Sequence, residues 1–184
     1  MPVVNLWKVE ENRLKLITPL RCHLSQITAI EIFPSEWALI ASGHDDGCIS
    51  IFSTKPLCFI RTLTAPRKAP VTMLRMSASN GDILVVQDRL VTLWTVNGEL
   101  ICSVELENSV VDARFTEFVE GTNQNFMFLL CSDNRIFMLD TGDMNIVSEV
   151  RIVRRQPLSI HVYKDDPGIA ITHADGWISS LKLR

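Results

Sequence analysis

Ser42-Gly43-His44-Asp45-Asp46-Gly47-Cys48-Ile49-Ser50-Ile51-Phe52 is the stretch that decides the fold. An Asp-Gly pair precedes an alternating apolar run and follows a second one, Ala38 to Ser42. Such a pair signals a tight hairpin, because a type I′ turn needs positive φ at both central residues and glycine supplies it at little steric cost. Two strands meet here.

The same arrangement recurs. Large apolar residues close alternating runs at Trp7, Phe52, Trp94, Leu139 and Leu181, spaced 45, 42, 45 and 42 residues apart. Six residues before each of the last four stands an aspartate: Asp46, Asp88, Asp133 and Asp175. A period of roughly 40 to 45 residues is that of WD repeats, which supply four strands per propeller blade. The residue after each aspartate is Gly47, Arg89, Asn134 or Gly176. Glycine and asparagine tolerate left-handed backbone. Arg89 does not, and keeping the same turn there would store roughly 1 kcal/mol, so Arg89→Gly is expected to raise the melting temperature.

Alternation and β-branched content then define seventeen strands. The expectation is an all-β, WD-type β-propeller, partial and open, of about four to five blades. It divides into a blade fragment 1–18, blades 23–63, 67–104 and 107–151, and a partial blade 155–184. The innermost strands are expected at Val71 to Met76 and Ser159 to Tyr163, and the last strand at Trp177 to Leu183. Turn residues such as Pro34-Ser35-Glu36, Asn80-Gly81, Asn97-Gly98, Thr141-Gly142-Asp143 and Asp166-Pro167-Gly168 fall between them.

Composition narrows the function classes. The chain has 184 residues, 47% hydrophobic and 21% charged, with a formal charge of −3, and so offers no global electrostatic case for nucleic-acid binding. No apolar run approaches the roughly 18 residues of a membrane span, and the first ten residues lack the pattern of a signal peptide. A cytoplasmic protein is expected. Five cysteines without a Cys-x-x-Cys pair suggest neither a disulfide framework nor zinc, and no cofactor is implied.

The blade from His23 resembles a WD repeat. In that family a histidine before the innermost strand, a serine in the second strand and the turn aspartate form a hydrogen-bonded set completed by a tryptophan. His23, Ser42 and Asp46 match the first three, and Phe52 stands at the tryptophan position; the next blade keeps Asp88 and Trp94. Between Cys48 and Val104, the runs Arg67-Lys68-Ala69-Pro70-Val71-Thr72, Gly81-Asp82-Ile83 and Trp94-Thr95-Val96-Asn97-Gly98-Glu99 resemble the C-terminal propeller of BEACH-domain proteins. The similarity is to the lysosomal-trafficking-regulator, neurobeachin and autophagy-linked group. It implies a fragment or truncated relative, since no BEACH domain is present.

The candidate sites follow. His23, Ser42 and Asp46 imitate a hydrolytic triad, but the resemblance makes them a structural network, and no residue is assigned to catalysis or metal binding. His44 and His173 precede repeat aspartates by two residues and are expected on solvated turns. Arg21, Arg67, Lys68, Arg154 and Arg155 lie in the connections between outer and inner strands, expected to share a rim that binds an acidic peptide or a phosphoinositide headgroup. Trp37 and Trp177 stand outside the repeated position and are candidate aromatic anchors.

The function expected is a non-catalytic scaffold binding proteins or peptides, with weak peripheral membrane contact. The resemblance implies vesicle or lysosome traffic or autophagy. The rivals are a WD adaptor in ubiquitin-ligase recruitment or RNA processing, and a small hydrolase.

Overall fold

Alternating side chains of period two bury one face of an extended chain, and a glycine or asparagine at each reversal folds it back on itself. The computed structural model describes residues 2–21, 24–33, 38–116, 126–153, 156–163 and 168–182. Among them the regular structure is entirely β, with seventeen strands in five sheets whose hydrogen-bonded neighbours are also neighbours in sequence. That is the expected all-β architecture. The chain divides into two compact units, Met1–Leu74 and Arg75–Arg184.

The first unit opens with a two-stranded sheet, β1 (Val4–Glu10) and β2 (Arg13–Leu20). A four-stranded sheet follows: β3 (Ile27–Ile32), β4 (Leu39–His44), β5 (Cys48–Thr54) and β6 (Leu57–Thr64). Leu20, Ile40 and Phe52 form the core between the two sheets, with Val4 and Leu6 against it. Phe52, at the family's tryptophan position, is buried and meets Phe59 edge-on, with ring centroids 5.5 Å apart. Gly43 packs so close to the incoming chain that a Cβ there would lie 2.5 Å from Val71 Cγ1.

The strand β7 (Met73–Met76) straddles the boundary and begins a sheet continued by β8 (Ile83–Gln87), β9 (Leu90–Trp94) and β10 (Leu100–Glu105). Next come β11 (Val110–Phe115), β12 (Phe126–Cys131), β13 (Arg135–Asp140) and β14 (Ile146–Arg151). A three-stranded sheet ends the described chain: β15 (Pro157–Val162), β16 (Gly168–His173) and β17 (Ile178–Lys182). Phe128, Leu130, Ile136, Ile160, Ile169 and Ile171 pack the last two sheets together. Within each four-stranded sheet the middle strands are buried and the outermost, β6, β10 and β14, are largely exposed.

Several strand boundaries differ from the sequence reading, among them those of β7, β15 and β17. Val71 lies outside β7 because its N–H donates to the His44 carbonyl at 3.0 Å rather than to the ladder. β15 starts at Pro157, opposite His173 and just before a register shift, where a missing N–H is tolerated. β17 is confined to Ile178–Lys182. The left-handed residue after β13 is Met144 (φ 57) rather than Gly142. Pro34-Ser35-Glu36 and Asp166-Pro167 lie outside the described residues.

Candidate functional site

Three of the four hairpin turns are closed by their aspartates. Asp46, Asp133 and Asp175 each accept the backbone N–H two residues on, from Cys48 at 2.9 Å, Arg135 at 3.3 Å and Trp177 at 3.3 Å. Gly47, Asn134 and Gly176 take the left-handed conformation, with φ of 86, 67 and 83°. The second turn corrects the expectation at Arg89: its left-handed residue is Asp88 itself, φ 60°. Arg89 instead sits 3.8 Å from both Asp88 and Glu105. The Cys48 N–H, aided by Ser25 and His44, holds the Asp46 carboxyl below its ordinary value. At Asp133 partial burial pushes upward, but the Arg135 guanidinium and backbone N–H outweigh it.

His44 and His173 are not on solvated turns. They are 1% and 3% exposed, because each occupies the last residue of a second strand whose neighbours close over it. His44 Nδ1 donates to the Ser25 carbonyl at 3.3 Å, and its Nε2 meets the Ser42 hydroxyl, also at 3.3 Å; the same hydroxyl reaches the Ser50 carbonyl at 3.5 Å. His173 Nε2 meets Ser179 Oγ at 2.9 Å. His23 lies outside the described residues; among the described residues His44 meets Ser42. Ser42 is 0% exposed, and the Nδ1 of His44 meets a backbone carbonyl. In the next sheet Trp94 Nε1 donates to Thr92 Oγ1 at 2.9 Å.

The rim of the second unit is an acid–base cluster around Arg135. Its guanidinium pairs with Asp133, reaches Glu107 at 2.6 Å and Glu149 at 3.6 Å, and lies over the Phe137 ring. Asn108, two residues before β11, donates to Asp133 at 3.1 Å. It stands two residues before Val110 as Ser25, which hydrogen-bonds Asp46, stands before Ile27. Of the basic rim candidates, Arg21, Arg67 and Lys68 are exposed, whereas Arg154 and Arg155 lie outside the described residues. Trp177 is 60% exposed, and Trp37 is likewise outside.

One constellation was missed by the sequence reading. Asp112, on an innermost strand, is 4% exposed. It accepts from Arg75 Nη2 at 2.6 Å, from its neighbour's Ala113 N–H at 2.9 Å and from the Ile160 N–H at 3.1 Å, and lies 3.3 Å from Arg114 Nη1. Arg75 Nε donates in turn to the Ala113 carbonyl at 3.0 Å. One carboxylate therefore joins β7, β11 and β15. The sequence signal was an aspartate within an otherwise apolar strand start, Val110-Val111-Asp112-Ala113. Among the described residues no group of three His, Cys, Asp or Glu is arranged to hold a metal ion.

No protein-family model matches the chain. It is 29% identical over 133 residues to the lysosomal-trafficking regulator of Homo sapiens, covering 70% of this chain and 3% of that protein. To BEACH domain-containing protein A2 of Arabidopsis thaliana it is 25% identical over 134 residues, covering 65% of this chain and 4% of that protein. The chain thus spans a few per cent of the length of the curated relatives it matches. Among solved structures, the WD40 repeats of RRP9 superpose with a TM-score of 0.73 over 89% of this chain and 50% of that one, at 16% identity. The chain has the fold of a WD-repeat β-propeller and a sequence similar to that of BEACH-domain proteins.

Proposed function

We propose that the chain is a non-catalytic protein-interaction scaffold, the WD-repeat region of a BEACH-type protein acting in vesicle and lysosome traffic or autophagy. The observation that supports the scaffold reading is the burial of Ser42 and His44, which stand 3.3 Å apart at the matched serine position of the resemblance, inside a four-stranded sheet. Arg67 and Lys68, in the connection between β6 and β7, stand exposed to solvent. Paired Arg and Lys charges suit an acidic peptide or an anionic membrane surface met peripherally. The trafficking setting rests on the similarity to the lysosomal-trafficking regulator.

Proximity labelling in cells, comparing the wild type with an Arg67→Glu, Lys68→Glu variant, tests this reading. Enrichment of vesicle and lysosome proteins that the charge reversal diminishes is expected. Enrichment of ubiquitin-ligase subunits or ribonucleoproteins instead would overturn the trafficking setting. Labelling of Ser42 by a serine-directed probe in the folded protein would overturn the scaffold reading itself.

A further inference from the structure

We propose that β6, with the hairpin before it and the connection after it, is a docking surface for a bilayer containing anionic lipid. This deepens the scaffold reading and rests on it, naming the strand by which the scaffold meets a membrane.

Charge singles out this segment. The chain carries a formal −3, yet from Gly47 to Gly81 there is no aspartate or glutamate, while Lys55, Arg61, Arg67, Lys68 and Arg75 all fall there. Lys55 stands in the hairpin before β6, and Arg67 and Lys68 in the connection after it; all three are exposed. A strand of eight residues spans about 27 Å at roughly 3.4 Å per residue. Cations therefore stand at both ends of one extended edge. Each Lys or Arg held near an anionic leaflet is attracted to it, and charges set along one line act together.

Between those cations the strand is apolar. Every residue from Lys55 to Ile60 is exposed, and Leu57, Phe59 and Ile60 are 43, 42 and 37% so. Exposed aliphatics also occur on β10 and β14, the fourth strands of two other sheets. There, however, β10 begins after Glu99, ends on Glu105 and has no Lys or Arg, and β14 carries Glu149 with Arg151. Of the three, only β6 couples apolar groups to cations without an acid. The occupant follows from the shape. Successive side chains of a strand point to opposite faces, so Leu57 and Phe59 lie on one side of the edge and the exposed Cys58 on the other. A rigid partner on one face would meet half of them, whereas the fluid interface of a bilayer closes over both. Pairing with a strand of another protein is disfavoured, because Phe52 pairs with Phe59 and Ile51 with Arg61, which leaves Ile60 without a counterpart and bends the edge. Blades of a propeller repeat radially around a centre, so further blades add beside the end sheets and not over the fourth strand of the second sheet.

The test is co-flotation of the full chain with vesicles of phosphatidylcholine, alone or mixed with phosphatidylserine. Binding to the mixed vesicles only, weakened by salt, is expected. Lys55→Glu should weaken it by at least roughly fivefold. Leu57→Ser with Ile60→Ser, at exposed positions, should weaken it comparably, whereas Leu100→Ser with Ile101→Ser on β10 should not. Circular dichroism checks that each variant is folded. A tryptophan placed by Leu57→Trp should be quenched by brominated acyl chains beyond the wild-type level, and one placed by Leu100→Trp should not. Equal binding to both kinds of vesicle, indifference to the Leu57 and Ile60 changes, or equal quenching at the two positions would overturn the proposal. So would binding of a polyglutamate peptide, weakened by those changes, without binding to vesicles. If vesicles are not bound while the Arg67, Lys68 variant still alters proximity labelling, only the β6 surface falls and the scaffold reading stands.

Discussion

Arg75 Nη2 donates to Asp112 Oδ1 at 2.6 Å, and the same carboxylate receives the Ile160 N–H, so three innermost strands are held by one side chain. The aspartate is nearly enclosed while the arginine keeps about a fifth of its side-chain surface. Breaking a buried pair by removing one partner leaves the other charge uncompensated, at a cost of about 3 kcal/mol. Asp112→Ala should therefore lower the urea midpoint of the second unit by that order. The double change Arg75→Met, Asp112→Leu should recover part of the loss, since it removes the more buried charge of Arg75 along with the carboxylate and leaves only the partly exposed Arg114. A double variant no better than Asp112→Ala would show that the Ile160 N–H, not the ion pair, dominates.

Gly43 is required by space rather than by φ. A Cβ would come within 2.7 Å of both Val71 Cγ1 and Val71 Cβ, and overpacking of this kind costs about 1–3 kcal/mol. Gly43→Ala should depress the melting temperature, and adding Val71→Ala should relieve the clash and restore much of it.

The second hairpin separates two neighbouring substitutions. Asp88 carries the left-handed conformation at φ 60° and Arg89 does not. Asp88→Gly should raise stability by roughly 0.5–1 kcal/mol through relief of strain, and Arg89→Gly should lower it by adding backbone freedom to the unfolded chain. Differential scanning calorimetry of the two variants distinguishes them by sign.

Acid should loosen the turns. Asp46 and Asp133 are held below their ordinary value of 3.8 in the folded chain. A carboxyl whose folded pKa is depressed contributes stability that is complete above its unfolded pKa and is lost as pH falls through the folded pKa. The urea midpoint should thus be flat near neutrality and decline below about pH 4. Asp46→Asn should flatten part of that decline, because the asparagine keeps an acceptor for the Cys48 N–H without titrating.

Thiol chemistry should divide the cysteines by depth. Burial and the nearby Asp133 push Cys131 up to about 12, and it is 1% exposed on β12, whereas Cys58 is exposed on β6. Maleimide at about pH 8 should label Cys58 and spare Cys131 until the chain is unfolded, as mass spectrometry of peptides would show.

Much of the fold was legible because it is local. Asp46-Gly47, Asp133-Asn134 and Asp175-Gly176 fold back on themselves through contacts two residues long, and alternation tells which face of each strand is buried. Repetition then confirms one turn by the next. The site was less legible. His44 looked like a turn residue because its position two before Asp46 says nothing of the strands that cover it, and the part played by Asn108 is revealed only by its contact with Asp133.

What the sequence determined by itself was the period, the turns and the all-β class, since those depend on neighbours along the chain. Tertiary structure alone decided the partnership of Asp112 with Arg75 and Ile160, 37 and 48 residues away. It also decided that His44, two residues before a turn aspartate, is buried. Burial and charge pairing are set by which segments converge in space, and that convergence is absent from any local pattern.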